Sequence, residues 1–211
     1  MANILEAIKF IVDNPISDVV RYYKTQSNNR VNSVGDALES FIKDIFSQAL
    51  TEHDINLKNT KYSEAFSYIG NQNNPPDIIL KNGDVIEVKK IESLKASSIA
   101  LNSSYPKSKL YSDEPMLTSY CRECEDWQEK DIIYAIGVIK DEKLKLLWLI
   151  YGDCYAADRE VYKRIANKIN SGITEIKDVE FSKTQELGRV NKVDPLGITY
   201  LRIRGMWGIQ N

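Results

Sequence analysis

Between Pro76 and Lys90 the chain reads Pro-Asp-Ile-Ile-Leu-Lys-Asn-Gly-Asp-Val-Ile-Glu-Val-Lys-Lys, two short apolar runs on either side of an Asn82-Gly83 turn signal. Such a pattern predicts a β-hairpin. The triplet Ile78-Ile79-Leu80 is apolar without alternation, and Ile86 and Val88 flank Glu87. A carboxylate and a lysine alternating with apolar neighbours read as the wall of a cleft in a buried sheet rather than as a solvated ribbon. The plainer alternative, a half-exposed hairpin with its acids facing water, uses the same letters. Pro76 before Asp77, the apolar triplet and the apolar flanks of Glu87 favour the cleft.

At the ends of that hairpin stand Asp77, Glu87 and Lys89. Hydrolysis of a phosphodiester needs a nucleophilic water, stabilisation of charge on the transition state and support for the leaving oxygen. A divalent metal held by carboxylates supplies much of all three. Hard oxygen ligands suit Mg²⁺, and the Val88 carbonyl is a natural additional ligand. Lys89 is placed to orient or help deprotonate the water, or to contact the phosphate.

Strand parity turns this into a geometric expectation. Glu87 and Lys89 share a face because they are two apart. Asp77 joins them only if paired positions sum to an even number, as when 77 opposes 89 and 79 opposes 87. The loop must then be odd in length, such as Asn82-Gly83-Asp84 with Gly in the left-handed position, or bulged. Asp84 falls to the turn and leaves the site.

Elsewhere, Ile4, Leu5, Ile8, Ile11 and Val12 recur at helical spacing over residues 2–13, and Asn14-Pro15 ends the run. Residues 21–32 are polar and read as a loop. Val34, Ala37, Leu38, Phe41, Ile42, Ile45, Phe46 and Ala49 predict a stronger helix, with Asn32-Ser33 as candidate caps. A polar stretch follows, and Asn71 to Pro76 breaks the chain. Residues 93–119, rich in Ser, Asn, Lys and Pro, read as a long loop rather than core. Asp131–Ile139 and Leu144–Tyr151 read as paired, well-buried strands about a Lys140–Lys143 turn. A helix over 156–169 with Val161, Ile165 and Ile169 on one stripe, and a strand over 199–204, complete the reading. No linker is evident, so a single domain over 1–211 with inserted recognition loops is expected. Mixed helices and strands predict an α/β fold with a central mixed sheet flanked by helices.

Composition excludes several classes. A formal net charge of -2 gives no global basic field, against a DNA-coating role. No apolar run approaches the roughly 20 residues of a membrane span, and the N-terminus does not read as a secretory signal. Three cysteines fit a reducing cytoplasm better than a disulfide framework. Cys121-Arg-Glu-Cys124 has the spacing of half a zinc site, but Cys154 and His53 would have to complete it from distant segments. The single histidine argues against His-based hydrolysis. The lack of a GxxxxGK[ST] loop argues against a nucleotide cofactor.

Longer strings are more specific than the bare acidic pattern. Asn73-Asn-Pro-Pro-Asp77, Gly83-Asp-Val-Ile-Glu-Val-Lys-Lys-Ile-Glu-Ser93 and Ala100-Leu-Asn-Ser-Ser-Tyr-Pro-Lys-Ser-Lys-Leu110 resemble the NgoPII family of type II restriction endonucleases. So do Gly35-Asp-Ala-Leu-Glu39, Lys43-Asp44 and Asp131-Ile-Ile-Tyr134. The resemblance covers most of the chain and implies a PD-(D/E)xK nuclease core. It implies Asp77, Glu87 and Lys89 as the catalytic set. Periodicity alone makes Glu39 an ordinary boundary glutamate; the resemblance makes it a further catalytic and metal-binding member. It also implies Mg²⁺ (or Mn²⁺) dependence, a short palindromic target such as GGCC, 5′-phosphate ends, a homodimer and a cognate DNA methyltransferase. The alternatives are a structure-specific or repair nuclease of the same superfamily and a catalytically silent DNA-binding module.

Residues that follow the catalytic strand are candidate double-stranded DNA contacts: Lys90, Glu92, Ser93, Asn102, Ser103, Ser104, Lys107 and Lys109. The tail puts Tyr200, Arg202 and Arg204 on one strand face, basic groups interleaved with an aromatic. The polar stretch 26–30 is a third candidate arm.

Overall fold

The computed structural model describes residues 2–26, 34–71, 74–93, 95–96, 98–102, 104–184 and 186–210. In chain order they form α1 (Ile4–Asp13), α2 (Val19–Gln26), α3 (Val34–Ser47), α4 (Ile55–Ala65), β1 (Phe66–Asn71), β2 (Asn74–Leu80), β3 (Val85–Ile91), β4 (Ser98–Asn102) and β5 (Lys109–Tyr111). There follow α5 (Ser119–Arg122), β6 (Glu129–Lys140), β7 (Lys143–Tyr151), α6 (Arg159–Thr174), β8 (Glu180–Phe181), β9 (Gly188–Asn191), β10 (Tyr200–Ile203) and β11 (Trp207–Gln210). The chain divides into two compact units, residues 1–97 with 108–155, and residues 98–107 with 156–211.

The first unit is built on the expected mixed sheet, in the order β1-β2-β3-β6-β5, with β7 also paired to β6. β3 and β6 run parallel, from Val85 opposite Ile132 to Ile91 opposite Val138. The other neighbours are antiparallel. Ile78, Ile79, Leu80, Val85, Ile86, Ile132, Ile133 and Ile136 are buried, as apolar runs without alternation require of a sheet covered on both faces. α3 lays Leu38, Phe41, Ile42 and Ile45 into the same core as Ile78, Leu80, Ile86 and Ala135. Each leucine, isoleucine or phenylalanine so buried contributes roughly 1.5–3 kcal/mol. The helix lies so close to β6 that a Cβ on Gly137 would stand 2.6 Å from the Leu38 methyls.

One polar node ties the helices together. Asp44 on α3 is fully buried and accepts from Tyr23 of α2, from Tyr62 of α4 and from the Lys58 ammonium at 2.6 Å. Burial first, and then the Asp44 charge, raise both phenols far above their ordinary range, so they remain donors. A carboxylate this deep is tolerable because three donors meet it.

Several expectations need correction. The stretch from Arg21 is helical as far as Gln26, because Val19, Val20 and Tyr23 supply an inward stripe just ahead of the polar residues. Residues 27–33, including the candidate caps and most of the third candidate arm, lie outside the described residues. The polar stretch after α3 forms α4 and then β1; α4 has almost no amphipathic signal, and only Ala65 in it is buried. α1 docks through Ala7, Phe10 and Ile11, leaving Leu5, Ile8 and Val12 exposed. Residues 93–119 are not all loop: β4 and β5 bury Ile99, Leu101 and Leu110. β6 is buried almost throughout, whereas β7 is only half-buried.

The second unit joins β4 to β11 and stacks β8, β9 and β10 in a three-stranded sheet. Within it Tyr162 of α6 stacks on Tyr105 and meets Trp207 edge-on.

Candidate active site

The β2–β3 hairpin has the parity the chemistry requires. Ile78 faces Ile86 and Ile79 faces Val85, an even sum, so the register places Asp77 opposite Glu87 rather than Lys89. Leu80 N–H donates to the Asp84 carbonyl and Gly83 N–H to the Leu80 carbonyl, which closes an odd loop of Lys81, Asn82 and Gly83. The left-handed residue is Asn82 (φ 54°) and not Gly83, as Asn tolerates that region. Asp84 stands at the foot of the loop and accepts from the Tyr151 hydroxyl at 2.9 Å, away from the acidic set. Glu125 braces the loop from outside. It accepts from the Asn82 N–H at 2.9 Å and pairs with Lys130 at 2.9 Å, while Lys130 also donates to the Gly83 carbonyl.

Beyond Ile78 the ladder opens, and the reason is local. Continuing the register would set Val88 against Pro76, which has no N–H to give. The Val88 N–H instead donates to the Asp77 carboxylate at 2.6 Å. This locks the first acid against the middle of Glu87-Val88-Lys89. In a strand the N–H and C=O of one residue leave on the same side, so the Val88 carbonyl also faces the gap beside Asp77. On the other flank Gly70 is pressed against β2: a Cβ there would fall 2.1 Å from the Pro76 carbonyl oxygen and 2.7 Å from that of Asn74.

The charges are arranged in two short pairs around Asp77. Lys89 meets Glu87 at 2.6 Å, and on α3 Lys43 meets Glu39 at 2.6 Å. All four side chains are largely enclosed, between 17% and 26% exposed. Burial, reinforced by the Glu87 charge, pushes the Asp77 carboxyl up to about 7 against the pull of the Val88 N–H and Lys89; Glu39 adds to the rise. Glu39 is therefore near enough for its charge to be felt at Asp77. Burial would lower the Lys89 ammonium, but the charge and hydrogen bond of Glu87 and the charge of Asp77 outweigh it and raise its pKa. Sequence assigns Lys43 no role of its own. Its four-residue spacing from Glu39 is the signal that pairs them. Among the described residues no group of three or more His, Cys, Asp or Glu side chains is gathered tightly enough to hold an ion by itself.

The family model described as NgoPII restriction endonuclease matches residues 2–211. Over 210 residues the chain is 52% identical to the type II restriction enzyme NgoPII of Neisseria gonorrhoeae, spanning 99% of this chain and 74% of that protein. The chain belongs to the NgoPII restriction endonuclease family. Its enzyme class is thus type II site-specific deoxyribonuclease. No solved structure matches it.

In this NgoPII-family chain the candidate DNA contacts fall in different places. Lys90 pairs with Glu92 at 2.8 Å, and the Ser93 hydroxyl accepts from the Lys95 N–H. Lys109 is on β5, engaged with Glu129 at 2.6 Å. Lys107 donates to Ser104 and lies over the Tyr105 ring. Asn102 ends β4; its side chain and Ser103 are outside the described residues. Arg202 and Arg204 converge on Glu186 at 2.6 and 2.7 Å. Cys121 is buried and Cys154 exposed, both as free thiols. Among the described residues no helix is long and apolar enough to cross a membrane.

Proposed function

We propose that this protein hydrolyses both strands of double-stranded DNA at a short palindrome, GGCC or a related GC-rich site, leaving 5′-phosphate and 3′-hydroxyl ends. The observation that carries the reading is the Val88 N–H to Asp77 bond at 2.6 Å, which brings the first acid against Glu87-Val88-Lys89 with the Glu39 charge beside it.

The donor set fits Mg²⁺, with Mn²⁺ as a substitute. Asp77, Glu87, Glu39 and the Val88 carbonyl offer oxygen only. Three carboxylates against the Lys43 and Lys89 ammoniums leave a net charge of -1 in an enclosed site. The Asp77 carboxyl is raised by burial first and by the Glu87 and Glu39 charges after it. Mg²⁺ is held through one or two carboxylates plus water and substrate phosphates, so a closed protein cage is not required. When bound, it supplies charge neutralisation at the phosphate and a more acidic water.

The chain's own residues do the remainder. Asp77 is fixed in angle by Val88, which restricts where its second oxygen points. Lys89, kept as an ammonium beside Glu87, donates to the attacking water or to a non-bridging phosphate oxygen as charge grows there. Lys43 holds Glu39 in place from the helix side. Water adds to phosphorus and gives up a proton to solvent as the bond to the 3′ oxygen breaks, and that oxygen leaves with a proton from solvent.

A palindromic target implies two copies related by a two-fold axis, each cutting one strand. A cognate methyltransferase would protect the host DNA, and the cytoplasm is where both would act. The test is plasmid DNA incubated with Mg²⁺ or with EDTA, followed by sequencing of the ends. Discrete fragments that share a palindrome, seen only with Mg²⁺, are expected. Cutting confined to branched DNA would move the protein to a structure-specific class, and no cutting with any divalent metal would remove the enzymatic reading.

A further inference from the structure

β9 and β10 pair in strict antiparallel register, Tyr200 with Asn191, Leu201 with Val190, Arg202 with Arg189 and Ile203 with Gly188. Alternation divides this ribbon into two faces. Gly188, Val190, Leu201 and Ile203 form one, and α6 closes on its Gly188–Ile203 end, leaving Leu201 half exposed: a Cβ on Gly188 would lie 3.3 Å from Ile173 and 3.2 Å from Ile203. The other face carries Arg189, Asn191, Tyr200 and Arg202.

Two arginines directly opposite one another in a sheet repel, which by itself is unfavourable. Each is nevertheless fixed by a neighbour that engages its Nε. Arg189 donates from Nε to Asn191 Oδ1 at 3.1 Å and lies over the Tyr200 ring, 4.2 Å from its centre. Arg202 donates from Nε and Nη2 to the two oxygens of Glu186, at 2.8 and 2.6 Å. Glu186 is only 18% exposed and also takes the Nε of Arg204 at 2.7 Å, whereas Arg202 and Arg204 are about half exposed. The carboxylate is a seated anchor, and the guanidiniums project from it. A guanidinium held along its Nε edge keeps its end-on fork, one N–H from each terminal nitrogen. That fork matches the O6 and N7 acceptors of guanine in the major groove, which is wide enough for a two-stranded ribbon.

We infer that the Arg189–Arg202 face of the β9–β10 ribbon reads guanine edges in the major groove of double-stranded DNA, with Glu186, Asn191 and Tyr200 as the positioning residues that hold the forks in place. The inference rests on the endonuclease reading and deepens it, adding Arg189, Asn191 and Glu186 to a surface for which sequence supplied only the tail residues. Anionic DNA also removes the repulsion between the paired arginines.

The experiment uses the full chain with Ca²⁺ in place of Mg²⁺ and two fluorescent duplexes. One carries the site found by sequencing the cut ends; in the other a single G·C pair of that site is replaced. Arg202→Lys and Arg189→Lys keep the charge and lose the fork, and Glu186→Gln keeps the fold contact and loosens it. Each is expected to lower the preference for the intact site by roughly ten- to a hundredfold, with affinity for the altered duplex and its salt dependence little changed. Unchanged thermal melting of the lysine variants excludes misfolding as the cause. Preference retained in all three variants overturns the inference, as does an equal loss on both duplexes, which marks phosphate contacts. A wild-type protein that cuts at a palindrome while the variants keep its preference defeats the ribbon reading alone. A wild-type protein that cuts no DNA with any divalent metal defeats the endonuclease reading and this one together.

Discussion

Asp77 is where the forces on this chain conflict most directly. Its carboxyl is pushed from 3.8 to about 7 by burial and by Glu87, with Glu39 adding to it. Between those values the folded protein binds more protons than the unfolded chain. The stability of the metal-free protein therefore falls as pH rises from about 4 to about 7 on this group's account. Asp77→Asn keeps an oxygen for the Val88 N–H and removes the charge. In EDTA at pH 8 it is expected to be more stable than wild type by on the order of 2 kcal/mol, below the full value of the shift because the site is partly screened. Urea unfolding across pH tests this: the gap should close towards pH 4, and a gap independent of pH would show that the charge is not its cause. Lys89 contributes differently, as a cation aimed by Glu87. Lys89→Ala is expected to cut at least about a hundredfold more slowly while still binding its DNA. Gel-shift and cleavage assays on one preparation check both halves, and sustained turnover would take Lys89 out of the mechanism.

At the scale of elements, the hairpin was legible because its signals are local. An odd loop, a left-handed residue and an acid beside a proline all follow from neighbours in sequence, and parity then fixed which side chains share a face. The identity of the left-handed residue did not follow, since Asn and Gly both tolerate that conformation. α4 and β1 were illegible for a different reason. α4 touches its surroundings through a few groups, chiefly Tyr62 and Lys58 on Asp44, and so presents no apolar stripe. β1 owes its place to β2, which crowds Gly70. Gly70→Ala is expected to destabilise the protein by about 1–3 kcal/mol through displaced backbone. Because that displacement falls at Pro76, next to Asp77, cutting should be lost at temperatures where circular dichroism still reports a folded chain. Gly172→Ala is the control: its Cβ meets nothing within 4 Å on α6, and a gain of roughly 0.5–1 kcal/mol is expected there. Full activity in folded Gly70→Ala would show that β1 does not position the acid.

For the whole molecule the expectation is symmetry. A palindrome read by one chain of 24.1 kDa calls for a second copy. Sedimentation of the protein with a duplex bearing its site should give the mass of two chains per duplex, and a plasmid with one site should pass to linear form with little nicked intermediate. One chain per site with accumulating nicks would contradict the dimer.

The sequence by itself determined the α/β class, the Asp77–Lys89 hairpin with its odd loop, the placing of Asp84 at that loop and, through the longer strings, the family. Each depends on spacing within a short segment or on identity along the chain. Tertiary structure brought the charge of Glu39, a site member in sequence only through resemblance, within reach of Asp77, and it alone decided that Asp44 binds three partners from two other helices. It also set Arg189 against Arg202 and anchored both. Those contacts depend on how one element lies on another, and no periodicity records it: a charged residue at the edge of a helix or on a strand face reads as solvated until the opposing surface is known.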